Sequence, residues 1–447
     1  MFGSMEESAM EKAKPGWLTA GSGAAARDRR IPPVRRTEAR GGSRSGAGRK
    51  PKWAEYAALA SVPLVMVLGN SMIVPILPDL EREMKITGLQ SSLVITLFSL
   101  AAGLFIPVAG YLSDRFTRKA VILPSLAVFG AAGLLAGFAV VWDSFPLLIA
   151  ARALQGLGAA GTAPITMALI GDMYRDGTES EALGLVEASN GTGKVLSPIL
   201  GTLLALIAWQ APFFAFPAFC AVALAAMALW IREPESTRQP KPPVYLRYIK
   251  EIFHSKGRWL IPAFLAGAIG LFNLFGALFF LSDALEKPPL GLSGVARGGV
   301  LAIPLFGLVV TSWATGRAIR NNGRRMRLLM NVGLMLSAAA FATAVPLSGS
   351  TPALVALMTA SGVGTGLLLP CLNTLITGAV DRSHRGMITS LYSSLRFFGV
   401  ALGPPAFGWL AGYSRAVLFG AVTGLAAAAL ALVFFLVKPP EAAGDVR

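Results

Sequence analysis

Glu187, Asn190 and Lys194 stand at i, i+3 and i+7 inside an apolar run over residues 182–207. That spacing puts a carboxylate, an amide and an ammonium on one side of a helix. A charge at the centre of a bilayer costs at least ~2.5 kcal/mol on insertion scales. A spanning helix that keeps two of them must turn them toward protein or a water-filled path. Burial and a nearby cation act in opposite senses on a carboxyl group, and where they balance it takes up and releases a proton near neutrality. Glu187 is the candidate proton carrier. Lys194, a rise of about 10.5 Å further on, is its candidate electrostatic tuner. Arg152 and Arg396 are the other cations placed inside apolar runs. Three cations against one carboxylate make the predicted path net positive, which favours an organic anion, carboxylate- or catecholate-bearing, over a lipophilic cation. Arg396 is the candidate substrate anchor. Asn190, Asn70, Asn273 and Tyr392 supply further polar contacts, and Phe272, Phe275 and Phe279 an apolar wall.

The helix that must carry these groups has its own signature. Ser189, Gly193, Ser197 and Gly201 recur every four residues, a stripe that lets a neighbouring helix approach closely. Pro198 removes a backbone donor and favours a bend.

The rest of the chain supplies a membrane setting. Of 447 residues, 54% are hydrophobic and 14% charged, against ~25% charged in soluble domains. Mean hydropathy is +0.60. Twelve apolar runs fall at about 54–77, 89–111, 120–141, 145–170, 182–207, 212–231, 259–281, 295–316, 327–347, 352–379, 386–411 and 416–437, each long enough to cross a bilayer. The expected fold is an all-α membrane protein of twelve transmembrane helices in two pseudo-symmetric six-helix bundles, over 53–231 and 259–438. Residues 1–52 read as a disordered basic tail, 232–258 as a linker with an amphipathic surface helix at 245–254, and 439–447 as a second tail. With both tails cytoplasmic, thirty-two of the forty Lys and Arg fall on the cytoplasmic side. This positive-inside bias accounts for the net charge of +16 without nucleic acid.

Several function classes are excluded on residue grounds. Cys220 and Cys371 lie in apolar runs and His254 and His384 far apart in loops, so neither a disulfide framework nor a metal site is expected. No Ser/His/Asp or Cys/His constellation suggests an enzyme, and no G-x-x-x-x-G-K-[ST] stretch suggests ATP as driver. No cofactor is expected beyond the proton as coupling ion.

The halves repeat. Gly110 and Gly316, Gly156 and Gly362, Pro164 and Pro370, Gly193 and Gly399, and Pro198 and Pro404 are each 206 residues apart. Two parallel halves with a site between them are a transporter architecture.

Three stretches now carry a resemblance to the major facilitator superfamily, over roughly residues 54–437, and within it to twelve-spanning drug:H⁺ antiporters such as the multidrug and siderophore exporters of Gram-positive bacteria. The first is Gly110, Asp114, Arg115, Thr117, Arg118 and Lys119, with Thr117 where the family has Gly. The resemblance implies that Asp114 latches the cytoplasmic gate against the eleventh helix; Arg320 at the equivalent place makes the latch asymmetric. The second is Arg152-x-x-Gln155-Gly156-x-Gly158, which implies a place for Arg152 near the proton-coupling site. The third is the Ser189–Gly201 stretch, where Ser189, Ser197 and Thr202 replace glycines of the antiporter pattern. Gly156, Gly158, Gly193, Pro198, Gly201, Gly399 and Pro404 are the expected packing and bending positions. The function implied is export of small amphipathic compounds, drug- or siderophore-like, by proton antiport and alternating access. A bacterial cytoplasmic membrane is the expected place and a monomer the expected unit. The alternatives are a proton-coupled uptake carrier for an organic anion, and a non-transporting receptor or lipid-handling protein.

Overall fold

The computed structural model describes residues 53–174, 177–233, 242–287, 291–292, 294–319, 322–378 and 385–437, with the side chains of 177–181, 183–184, 187, 242–246, 248 and 385–386 left aside. The predicted tails at 1–52 and 439–447, and Arg320, lie outside them. Helices fill the described residues and no strand occurs among them. The first half comprises α1 (Trp53–Ser71), α2 (Leu77–Glu83), α3 (Gly88–Arg115), α4 (Arg118–Val141), α5 (Phe145–Ala160), α6 (Ala163–Met173), α7 (Gly177–Ala205) and α8 (Ala211–Trp230). The second comprises α9 (Pro242–Glu286), α10 (Gly294–Ile319), α11 (Gly323–Leu347), α12 (Thr351–Gly378), α13 (Arg385–Tyr413) and α14 (Arg415–Leu436). Ten stretches among the described residues are long and apolar enough to cross a membrane. The two further long helices, α7 and α13, have 29 residues each and carry the polar positions singled out above.

Local chemistry sets the helix starts. Thr87 opens α3 with a reciprocal capping box to Gln90. Thr117, Asn322 and Ser414 each accept from the backbone N–H of the third residue of α4, α11 and α14, satisfying donors that the first turn leaves free.

Three predicted elements differ in detail. The first span does not end near 77: α1 passes through a 3-10 turn at Val74–Ile76 into α2. Pro75 and Pro78 lack the N–H groups a continuous helix would use. The fourth span is broken at Gly161–Thr162 between α5 and α6, where a methyl on Gly161 would lie 1.9 Å from Ser125 Oγ. The stretch expected as a separate surface helix at 245–254 is the first part of the 45-residue α9. Phe253 packs edge-on against Phe264, centroids 5.9 Å apart, so the helix runs on through Gly257.

Packing reproduces the repeat. In the first half α1 packs on α7 and α8, α5 on α3 and α4, and α4 on α8. In the second, α9 packs on α13 and α14, α12 on α10 and α11, and α11 on α14: the same scheme, moved on by one half. Two seams join the halves, α3 with α13 and α7 with α10, and the repeat exchanges one for the other. The agreement reaches single atoms. A methyl on Gly156 would lie 2.1 Å from the Phe98 carbonyl, and one on Gly362 would lie 2.5 Å from the Pro304 carbonyl; residues 98 and 304 are again 206 apart. The α3–α13 seam is tied by Thr96 Oγ1, donating to the Ala401 carbonyl at 2.6 Å, and by the Ser394 hydroxyl, donating to the Gly103 carbonyl.

Candidate functional site

Arg152 on α5 is fully buried. Its Nε donates to the Val94 carbonyl at 2.9 Å and its Nη1 to the Gly69 carbonyl at 3.1 Å. The Gln155 side chain, one turn on, accepts a further hydrogen bond. The guanidinium stands 4.6 Å from the centre of the Phe98 ring. No carboxylate meets it among the described residues. Arg152 thus ties α1 and α3 to α5 through neutral acceptors, and its fork of donors suits that work better than an ammonium would. Asn70, next to the Gly69 carbonyl, is buried, and its Oδ1 has no protein partner.

On α7 the small-residue stripe faces α1. Ser189 Oγ donates to the Ala60 carbonyl at 2.7 Å. A methyl on Gly193 would lie 3.1 Å from Leu64 Cδ1, and one on Gly201 would lie 2.2 Å from the Met72 carbonyl. Pro198 is buried, and its carbonyl accepts from Thr202 Oγ1 at 3.0 Å. Lys194 and Asn190 are half-buried, and Asn190 Oδ1 has no protein partner. Glu187 falls within α7, and its side chain lies outside the described residues.

In the second half Arg396 on α13 is half-buried. Its Nη1 points to Asn373 Oδ1 of α12 at 3.5 Å, and its guanidinium carbon lies 5.4 Å from the centre of the Tyr392 ring. Its Nε is buried without a protein partner, and no carboxylate pairs with it among the described residues. Tyr392 is held from behind: its ring lies 5.3 Å from that of Phe264, and its hydroxyl would be 2.4 Å from a methyl on Gly267. Asn273 on α9 is 2% exposed, and its Oδ1 too has no protein partner. A methyl on Gly399 would lie 2.1 Å from the Ala268 carbonyl. Pro404 sits buried further along α13. Sequence reasoning did not single out Asn373. Its signal was an amide three residues beyond Pro370, in a run otherwise apolar.

The loop motif sits where α3 turns into α4. Asp114 is paired with Arg118, whose guanidinium also donates to Asp172 of α6 at 3.0 Å and to Ser113 Oγ at 2.8 Å. The Glu233 carboxylate accepts from the N–H groups of Arg118 and Lys119 at 2.6 and 2.9 Å. Lys119 Nζ donates to the Ala228 and Ile231 carbonyls, each at 2.8 Å. Arg115 stays at the surface, 3.4 Å from the Tyr111 hydroxyl. The bonds of Asp114 therefore stay inside the first half. The contact with α13 is made at Gly110, where a methyl would lie 2.9 Å from Ser390 Oγ. Glu233, an anion at the start of α4 where the helix dipole favours it, was missed in the sequence because it lies 114 residues from its partner.

The opposite end holds four charges that sequence reasoning did not single out. Arg82 Nη2 donates to Asp79 Oδ1 at 2.7 Å and Nη1 to Glu286 Oε1 at 3.3 Å. Arg297 donates to Asp79 Oδ2 at 2.5 Å and to Glu286 Oε2 at 2.8 Å.

The profile of the Major Facilitator Superfamily matches residues 59–347 and 323–446. The chain belongs to this superfamily. A "Bacillibactin exporter" of Bacillus subtilis (strain 168) is 42% identical over 385 residues, 85% of this chain and 95% of that protein. "Multidrug efflux protein YfmO" of the same organism is 27% identical over 358 residues, 79% of this chain and 85% of that one. Among solved structures, the human organic anion transporter MFSD10 (TETRAN) superposes with a TM-score of 0.68 at 20% identity, covering 86% of this chain and 100% of that one. This superfamily member is accordingly a multi-pass membrane transporter and not an enzyme.

Proposed function

We propose that this transporter exports small amphipathic organic anions, siderophore-like compounds among them, in exchange for protons and by alternating access. The observation that carries the reading is Arg396. A guanidinium midway along a spanning helix, fixed by Asn373 and by the face of Tyr392, keeps an unused donor and meets no carboxylate among the described residues. A cation so placed is costly unless something anionic visits it. The full-length similarity to a bacillibactin exporter supports the outward direction and makes bacillibactin the first compound to try. Glu187 carries the proton, with Lys194 as tuner. Arg152 fixes the geometry of α1 and α3 around the path. Asn70, Asn190 and Asn273 offer acceptors to the substrate. The Asp114 end faces the cytoplasm, both termini are cytoplasmic, the membrane is a bacterial cell membrane and the working unit is a monomer.

The test uses proteoliposomes enclosing a pH-sensitive dye, with an imposed proton gradient and a panel of bacillibactin, other amphipathic anions and amphipathic cations. Anion-triggered proton movement that is lost in Glu187→Gln is the expected result. Anion-driven flux with no proton movement would overturn the coupling, and a response to cations alone would overturn the substrate class.

A further inference from the structure

We infer that Asp79, Arg82, Glu286 and Arg297 form an exchangeable ring of ion pairs that gates the end of the transport path opposite Asp114. The inference rests on the alternating-access reading above and adds to it the residues that hold this end shut.

The four charges alternate in sign and close on themselves. Two pairs lie within one half: Asp79 with Arg82 on α2, and Glu286 of α9 with Arg297 of α10. Two cross between the halves: Asp79 with Arg297, and Arg82 with Glu286. These are the cross-half ion pairs among the described residues. The paired charges at the Asp114 end, Asp114, Arg118 and Asp172, all belong to the first half.

The arrangement has a direct consequence for opening. Breaking a buried ion pair by taking one partner away is expensive because it leaves a bare charge. Here separation of the halves breaks only the two crossing pairs. Each half leaves with one pair of its own, and no charge is abandoned. Closing restores the crossing pairs and buries Arg297 to 1% exposure. The ring therefore favours the closed end without making it a trap.

Neutral contacts between the halves surround the ring. Ser282 Oγ of α9 donates to the Val74 carbonyl at 3.1 Å. A methyl on Gly298 would lie 2.4 Å from Thr202 Oγ1 and 2.5 Å from the Pro198 carbonyl of α7, so the residue beside Arg297 must be a glycine for the seam to shut. The 3-10 turn at Val74–Ile76 bends the first span between the core of α1 and the two charges on α2.

The experiment is double electron–electron resonance on purified protein in lipid nanodiscs, without substrate, in a Cys220→Ser, Cys371→Ser background. One label pair sits at Leu89 and Val295, exposed on α3 and α10 at the ring end. A second sits at Phe116 and Ala318, exposed at the other end. The double variant Asp79→Asn, Glu286→Gln leaves two arginines facing each other. It should raise the long-distance population at the first pair at least threefold and shorten the second pair reciprocally, which a merely loosened protein would not do. Inverting the whole ring (D79R, R82E, E286R, R297E) restores the four ring pairings, losing only the exposed Arg82–Glu83 contact at 3.4 Å, and should restore both distributions. Where the double variant does not fold, Arg82→Gln removes one crossing pair at an exposed position and should give the same shift at smaller amplitude. Wild-type distances in the folded neutralised protein would overturn the inference, as would an inverted ring that behaves like the neutralised one. Since no substrate or proton gradient enters, failure here is separate from failure of the exporter reading.

Discussion

Arg297 donates to the carboxylate of Asp79 across 218 residues of sequence, and the pair joins one half of the transporter to the other. Arg152, equally buried, makes no such pair among the described residues: its Nε and Nη1 meet carbonyls and an amide, and its Nη2 is left without a protein partner. One arginine ties the two halves to each other and the other ties helices within one half. Mutations at the two should therefore read out differently.

For Arg152 the readout is stability. Arg152→Ala removes the donor shared by the Val94 and Gly69 carbonyls and the Gln155 side chain, and a hydrogen bond to a charged group contributes about 1.5–3 kcal/mol. Arg152→Lys cannot reproduce the planar fork and should recover only part of the loss. Thermal unfolding in detergent should show a clear drop in Tm for both variants, larger for Ala. A wild-type Tm for Arg152→Ala would show that these bonds do not tie the helices.

The repeat makes a paired prediction. Gly156→Ala drives a methyl to 2.1 Å from the Phe98 carbonyl and Gly362→Ala drives one to 2.5 Å from the Pro304 carbonyl. Backbone atoms on both sides cannot step aside as a side chain can, and overpacking of this kind costs about 1–3 kcal/mol or more. Gly316→Ala meets nothing within 4 Å and should be neutral, although Gly316 is the repeat partner of Gly110. Folded yield by fluorescence-detected size-exclusion chromatography orders the three variants.

What could be read from the sequence follows the range of the interaction. The spans were legible because apolar length is a local property, and the repeat because one offset recurs at several glycines and prolines. The stripe on α7 was legible as spacing, though the carbonyls that it meets, of Ala60 on α1 and of Met72 just beyond it, were not. The break at Gly161–Thr162 has a local mark in Pro164, whose missing N–H interrupts the helix ladder at the start of α6, whereas the close approach of Ser125 to Gly161 comes from another helix and leaves no trace nearby. Asp79, Arg82, Glu286 and Arg297 did not stand out for a related reason: a pairing across two hundred residues leaves no period. Arg152 was legible as a buried cation in need of partners, but its partners are mainly backbone carbonyls, which have no residue type to recognise.

The clasp at the start of α4 should behave as a local anchor. Glu233→Ala removes the acceptor for the N–H groups of Arg118 and Lys119, and losing a charged cap of this kind costs about 0.5–2 kcal/mol. Hydrogen–deuterium exchange should quicken over residues 117–121 while the Val94 and Phe98 region of α3 keeps its protection. Uniform acceleration across the first half would mean that Glu233 supports global stability and not this turn.

Arg396 separates orientation from charge. Arg396→Lys keeps the positive charge, loses the planar face that lies against Tyr392, and offers a single centre in place of a fork. An anion held by two parallel hydrogen bonds should bind about tenfold more weakly, a loss of about 1.4 kcal/mol, with maximal flux little changed. Asn373→Ala leaves charge and stack intact and removes only the amide that steers Nη1, so its effect should be smaller and in the same direction. Arg396→Gln removes the charge and should abolish discrimination between anions and neutral analogues. These are read as KM and maximal rate in proteoliposomes for an anion and its neutral ester. Equal loss for both compounds would place Arg396 in the scaffold, because a structural defect does not distinguish a carboxylate from its ester.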